Sequence, residues 1–230
     1  MVADPRLAPL LNHPAIWRGA SAAQLSAVST GFPALDARLP GRGWPQTGLV
    51  EMLIPRLGIG ELYLILPALA LLGRRPEARW CAWITPQAKS SRPFPPCGSL
   101  ELNAPALVAH GVRLSQVLVI HADLPLWACE QALRSGACDV VLTWTQRVQP
   151  RASRRLQLAT ERGRTLAFLF RAFSARALQE PSPAALRLAV QPASEGGVRL
   201  TVLKSRGGSR GEVAVHFDSS AMSAREDAPR

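Results

Sequence analysis

Lysine is nearly absent: 2 of the 27 cationic residues are lysine and the rest are arginine. The sequence also lacks any long apolar run. The longest, Leu62 to Leu72, has 11 residues and contains Pro67, against the roughly 20 that a helical membrane span needs. It reads as a core helix, and no membrane partner is expected. The opening Met1-Val-Ala-Asp-Pro-Arg6 has no charged segment leading into an apolar stretch and a small-residue cleavage site, so a cytoplasmic location is expected. The four cysteines, Cys81, Cys97, Cys129 and Cys138, form no Cys-x-x-Cys pair, and reduced thiols packed mostly in the core are the expectation. His13, His110, His121 and His216 are scattered and share no spacing with acidic residues. Neither a metal site nor a catalytic triad is expected.

Positive charge of one kind is abundant. Lys+Arg 27 against Asp+Glu 16 gives +11, and the planar guanidinium suits phosphates and carboxylates, which points to an anionic partner. Arg134 to Arg176 holds nine arginines and two acids, Asp139 and Glu161. Such concentration favours a site over general solubility, although a GC-rich genome also produces arginine- and alanine-rich chains.

At 230 residues with 47% apolar content, one core and one domain suffice. Residues 1–45 read as an irregular amino-terminal arm, with helical candidates at Pro14–Gly19 and Ala22–Ala27. An α/β domain is expected over 46–217, and a disordered tail over 218–230. Within the domain, Leu49–Ile54 reads as a strand, Gly58-Ile-Gly60 as a turn and Glu61–Gly73 as a helix. Trp80–Ile84, Gln116–His121, Asp139–Thr143 and Thr165–Phe170 read as strands buried on both faces, as parallel strands are. Pro86–Pro96 is too rich in proline for regular structure. Helices are expected over Ala104–Gly111, from the capping residue Asp123 to Gly136, and over Ala152–Arg162, where Ala152, Leu156 and Ala159 face inward and Arg151, Arg155 and Arg162 outward. Ala185–Val190, Val198–Lys204 and Glu212–Phe217, joined by glycine turns, predict an antiparallel edge hairpin region. The class is therefore α/β: a mostly parallel central sheet, helices on both faces, and antiparallel strands near the carboxy terminus.

A phosphate-binding loop needs Gly-x-x-x-x-Gly-Lys-[Ser/Thr] between strand and helix. The placement is right and the residues are wrong: after Gly58 and Gly60, Glu61 takes the lysine position and Leu62 the magnesium-ligand position. A carboxylate beside a triphosphate is repulsive by about 1 kcal/mol even in bulk water at about 4 Å. The strand Asp139–Trp144 ends in Thr143 and Trp144 where a magnesium-holding acid belongs, and Thr85-Pro-Gln87 stands where a catalytic glutamate belongs. No catalysis and no cofactor are expected. A divergent ATPase using Arg56 or a partner's lysine is the enzymatic alternative.

Ser29-Thr-Gly-Phe-Pro-Ala-Leu-Asp36, Gly43-Trp-Pro and Glu130-Gln-Ala-Leu-Arg-Ser-Gly-Ala-Cys-Asp-Val-Val141 resemble the RecA recombinase core, which implies a RecA-like fold over about residues 28–217. Ile16-Trp-Arg-Gly19, Gly58-Ile-Gly-Glu-Leu62, Ser182-Pro-Ala-Ala-Leu-Arg187 and Leu203-Lys-Ser-Arg-Gly-Gly208 are similar to the ImuA family within that superfamily. That resemblance implies a non-catalytic accessory factor of damage-induced (SOS) translesion DNA synthesis, docking in a mutasome. Its implied partners are an ImuB-like inactive Y-family polymerase homologue, an error-prone alpha-type DNA polymerase, RecA and single-stranded DNA. The alternative is a SulA-like inhibitor binding the tubulin-like division protein. The recombinase match makes Lys204 and Arg206 a protomer or partner contact. Arg147, Arg151, Arg154, Arg155 and Arg162, flanked by Arg164 and Arg171, are the candidates for holding nucleic acid or an acidic partner. Trp127 and Trp144 are expected in the core, Trp17 and Trp44 in contacts.

Overall fold

The computed structural model describes residues 26–86, 102–194, 196–208 and 210–217. The expectations for Pro14–Gly19, most of the Ala22–Ala27 helix candidate, most of the proline-rich segment, Cys97, Trp17 and the tail lie outside the described residues; Ala27, the described end of that candidate, is in a strand and not a helix. Strands β1 (Ala27–Val28) and β2 (Trp44–Pro45) pair antiparallel and bracket helix α1 (Pro33–Arg38). The helix is anchored through Asp36, whose carboxylate accepts the Ser29 hydroxyl at 2.7 Å and the Thr30 amide at 2.8 Å. At Gly43 an added Cβ would stand 2.2 Å from the Val28 carbonyl oxygen, so this approach requires glycine. The pairing turns Trp44 inward, edge-on to Phe168 with ring centroids 5.3 Å apart and no exposed surface. Trp44 is thus a core residue and not a contact; burying such a ring contributes about 1.5–3 kcal/mol.

Eight further strands make one sheet: β3 (Gly48–Ile54), β4 (Trp80–Pro86), β5 (Val117–Ala122), β6 (Cys138–Thr145), β7 (Leu166–Ala172), β8 (Leu186–Pro192), β9 (Gly197–Ser205) and β10 (Gly211–His216). Their order is β10-β9-β8-β3-β7-β6-β4-β5. All pairings from β8 to β5 are parallel, and β8-β9-β10 are antiparallel. The architecture is mixed α/β with a mostly parallel central sheet.

Helices cover both faces. Val50, Met52 and Ile54 of β3 pack with α2 (Leu66–Gly73) in one core, while Leu49 joins a second core with α4 (Pro125–Ser135) and α5 (Pro150–Gly163). Alternate residues of a strand point to opposite faces, so a doubly covered strand is mostly apolar, and any charge on it needs a buried partner. Short helices α3 (Ala104–Ala109) and α6 (Ala175–Gln179) complete the fold among the described residues, each capped by a side chain, Asn103 and Ser174. None of the described helices is long and apolar enough to cross a membrane.

Three local expectations are corrected. The apolar run 116–121 is the sheet edge, with Leu118 43% and Val119 37% exposed. Asp123 does not cap α4, whose N-cap position is Leu124. Helix α2 starts at Leu66, because Pro67 fits only the first helical turn.

Candidate functional site

The loop after β3 is closed on itself. Gly58 (φ +76°) and Gly60 (φ +104°) take backbone conformations that side chains disfavour. This bend folds the Glu61 carboxylate back onto its own loop, where Oε1 accepts the Gly58 amide at 3.1 Å and Oε2 the Ile59 amide at 3.0 Å. The carboxylate is buried and takes amides that a phosphate would otherwise need. Leu62 packs on the core, and turns separate the loop from the start of α2 at Leu66. On the same face, Trp144 stacks on Phe170 with centroids 5.0 Å apart and meets Trp83 at a tilt of 35° with centroids 5.2 Å apart. Apolar rings therefore fill this face of β4, β6 and β7, and the end of β6 carries Trp144 instead of an acid.

Beside the loop's strand lies a buried ion network. Glu51 of β3 receives Arg171 of β7 and Arg187 of β8, the latter at 3.2 Å. Arg171 also holds Glu180 at 3.0 Å, and Arg187 donates to the Glu180 carbonyl at 2.6 Å and to the Ala177 carbonyl. Arg171, grouped from sequence with the basic surface, is 4% exposed and belongs to this network. Lys204 donates to the Ser182 carbonyl at 2.5 Å. Burial, with Arg206 and Arg187 nearby, holds its ammonium below the usual lysine range. Arg206 reaches outward to Glu161 of α5 at 3.7 Å. The structure thus turns Lys204 inward and leaves Arg206 on the surface.

The third feature is the outer face of α4 and α5. The two helices pack side by side, and Arg155 of α5 reaches Glu130 of α4 at 2.9 Å. Arg147, Arg151, Arg154 and Arg162 are exposed and have no ion-pair partner among the described residues. The spacing of Arg151, Arg154 and Arg162 on α5 follows from the opposite stripe of Ser153, Leu156, Ala159 and Thr160, which is buried, while Arg147 lies in the segment before the helix. The sequence missed the apolar members of this face: Trp127, expected in the core, is 58% exposed, with Leu124 at 67% and Leu158 at 54%. Helical spacing from the buried Cys129 and Leu133 could have placed Trp127 outside. Among the described residues no cluster of acids, histidines and cysteines could hold a metal.

Residues 58–167 match the family model for cell division inhibitor SulA. The chain is 33% identical over 131 residues to the cell division inhibitor SulA of Klebsiella aerogenes, covering 54% of this chain and 69% of that one. It is 35% identical over 130 residues to that of Edwardsiella piscicida, covering 54% and 68%, and 32% identical over 111 residues to that of Photorhabdus laumondii, covering 47% and 55%. The chain thus spans about 55–69% of the length of these relatives. The crystal structure of SulA from Pseudomonas aeruginosa matches with a TM-score of 0.40 and 23% identity, covering 54% of this chain and 98% of that one.

These matches correct the translesion expectation. The relatives carry the name of a cell division inhibitor, so the ImuA assignment, the mutasome role and the ImuB-like and alpha-type polymerase partners fall away, with RecA and single-stranded DNA. The fold explains why the sequence misled: two of the motifs that suggested ImuA supply structural contacts outside residues 58–167. Arg187 neutralises Glu51, and Lys204 holds the Ser182 carbonyl. Both the altered loop and the inhibitor relatives describe a protein that is not an enzyme.

Proposed function

We propose, from the premise that the chain belongs to the SulA family, that it is a cell division inhibitor that binds the tubulin-like division protein and restrains its assembly. The observation that carries this reading is the match of residues 58–167 to the inhibitor family, with 33% identity to the Klebsiella aerogenes inhibitor; the loop closed by Glu61, which spends two backbone donors internally, supports a role without nucleotide chemistry. The strand order, with β3 between β7 and β8 and the antiparallel strands at one edge, supports a RecA-like origin for the core. On this reading a nucleotide-binding ancestor kept its scaffold and lost its chemistry. Induction by DNA damage and a cytoplasmic place of action belong to the same proposal.

The test is GTP-dependent polymerisation of the purified division protein, followed by light scattering and sedimentation, with this protein added at up to equimolar amounts. Dose-dependent loss of polymer is the expected result. Unaltered polymer at equimolar addition would overturn the reading. ATP hydrolysis by this chain, lost on Arg56→Ala, would overturn it in favour of an enzyme.

A further inference from the structure

The structure assigns the outer face of α4 and α5 as the surface that grips an acidic protein partner; this rests on the inhibitor reading for the partner's identity. Because Arg155 meets Glu130, the residues one turn earlier on each helix, Trp127 and Arg151, stand at the same level of the face. One turn further along α5 from Arg154 and Arg155 comes Leu158, and one turn beyond it Arg162. The result is a pair of large apolar side chains, each more than half exposed, set among cations that have no ion-pair partner among the described residues.

Charge complementarity selects an acidic occupant. Arg151, Arg154 and Arg162 lack carboxylates of their own, and a guanidinium takes a carboxylate through two parallel hydrogen bonds. The apolar residues select a protein over a nucleic acid. A phosphate track is held by cations and hydrogen-bond donors, and Leu158 would place a side chain with neither function in its path. Tryptophan and arginine together are the residue types that dominate binding energy at protein interfaces.

The two helices of the face are also tightly packed. Gly163 at the end of α5 lies so close to α4 that an added Cβ would fall 1.8 Å from the Leu133 carbonyl oxygen, so the helices meet almost backbone to backbone. A face fixed before binding loses less entropy on association. Both helices lie inside residues 58–167, the part matched by the family model, while Arg206 lies outside it. The shared part of the chain therefore carries this surface whole.

The experiment uses the full chain and the purified tubulin-like division protein in calorimetric titrations at low and moderate salt. The variants are Trp127→Ala, Leu158→Asp and the pair Arg151→Glu with Arg154→Glu, all at exposed positions, with melting temperature as the fold check. Each variant is expected to weaken binding about tenfold or more with the melting temperature unchanged, and the arginine pair to flatten the salt dependence. Wild-type affinity in all three variants would overturn the surface while leaving the inhibitor reading in place. No binding by the wild type, together with unaltered polymerisation, would overturn both. A fluorescent single-stranded oligonucleotide that binds the wild type and is lost in the arginine pair, while the division protein still binds that pair, would overturn the protein surface in favour of nucleic acid.

Discussion

Asp139 at the start of β6 grips Arg79 twice: one carboxylate oxygen accepts the Arg79 backbone amide at 2.7 Å and the other its Nε at 2.9 Å. The rest of the guanidinium then donates to the carbonyls of Gly136 and Gly163 at 2.7 and 3.1 Å and of Arg164 at 2.7 Å. These carbonyls lie at the carboxy-terminal ends of α4 and α5, where the helix dipole places partial negative charge. One cation thus ties the ends of both helices to the start of β6.

Arg79→Ala should therefore destabilise the protein by about 1–3 kcal/mol, the usual magnitude for charge-assisted hydrogen bonds. Arg79→Lys should recover only part of this, since an ammonium cannot span three carbonyls and Asp139 with one planar fork. Urea unfolding of the three proteins checks it. Equal midpoints for wild type and Arg79→Ala would mean that the helix ends are held by packing alone.

The Glu51 network makes a larger prediction. Glu51 has no exposed surface, and Arg171 and Arg187 are each 4% exposed. Removing one member of a buried ion group leaves uncompensated charge, which costs about 3–5 kcal/mol. Glu51→Ala is expected to lose that much stability, or to fail to fold at ambient temperature. Wild-type stability would mean that water reaches the two arginines.

Glu180, at the outer end of the same network, supplies a pH dependence. Hydrogen bonding from Arg171, reinforced by Arg176, holds its carboxyl below the ordinary value of 4.5. A carboxyl lowered in the folded state binds fewer protons than in the unfolded chain, so its contribution is fully present above pH 4.5 and is lost as pH falls through the folded value. Glu180→Gln should flatten the acid limb of a stability–pH curve relative to wild type. Superimposable acid limbs would assign that pH dependence to other carboxyls.

Much of the architecture was legible because buried parallel strands are apolar on both faces: β3, β6 and β7 follow from Leu49–Ile54, Asp139–Thr143 and Thr165–Phe170. The same rule misplaced β5, since an apolar run does not distinguish a central strand from an edge; only the pairing of β4 with β6 on one side and β5 on the other reveals it. At the loop, the sequence places the Glu61 carboxylate where a phosphate-binding loop carries lysine. That its carboxylate turns back onto the Gly58 and Ile59 amides depends on two left-handed glycines, which sequence permits without requiring. Arg171 was the least legible residue: an arginine in an apolar strand reads as surface until Glu51, 120 positions earlier, is seen opposite it.

The contact of Gly163 with the Leu133 carbonyl makes a prediction about the α4–α5 face. Gly163→Ala forces the helix ends apart, an overpacking effect of about 1–3 kcal/mol. The strain is released by displacing one helix relative to the other, so binding of the division protein should weaken in step with stability. A variant destabilised to this extent with unchanged affinity would show that the face tolerates movement between its two helices.

The loop itself yields the last expectation. In Glu61→Ala the Gly58 and Ile59 amides lose their acceptor; an unsatisfied buried polar group costs about 1–3 kcal/mol, and because Gly58 is exposed and open to water, most of the loss should come from Ile59. Glu61→Gln retains one acceptor oxygen and should fall between wild type and alanine. Because the carboxylate is an anion seated on two backbone amides, emptying that place should also create sensitivity to inorganic phosphate: phosphate is expected to raise the melting temperature of Glu61→Ala and to leave wild type unmoved. Equal stability of all three proteins, with no response to phosphate, would show that the loop keeps its shape through Gly58, Gly60 and the packing of Leu62, and that the Glu61 contacts merely accompany it.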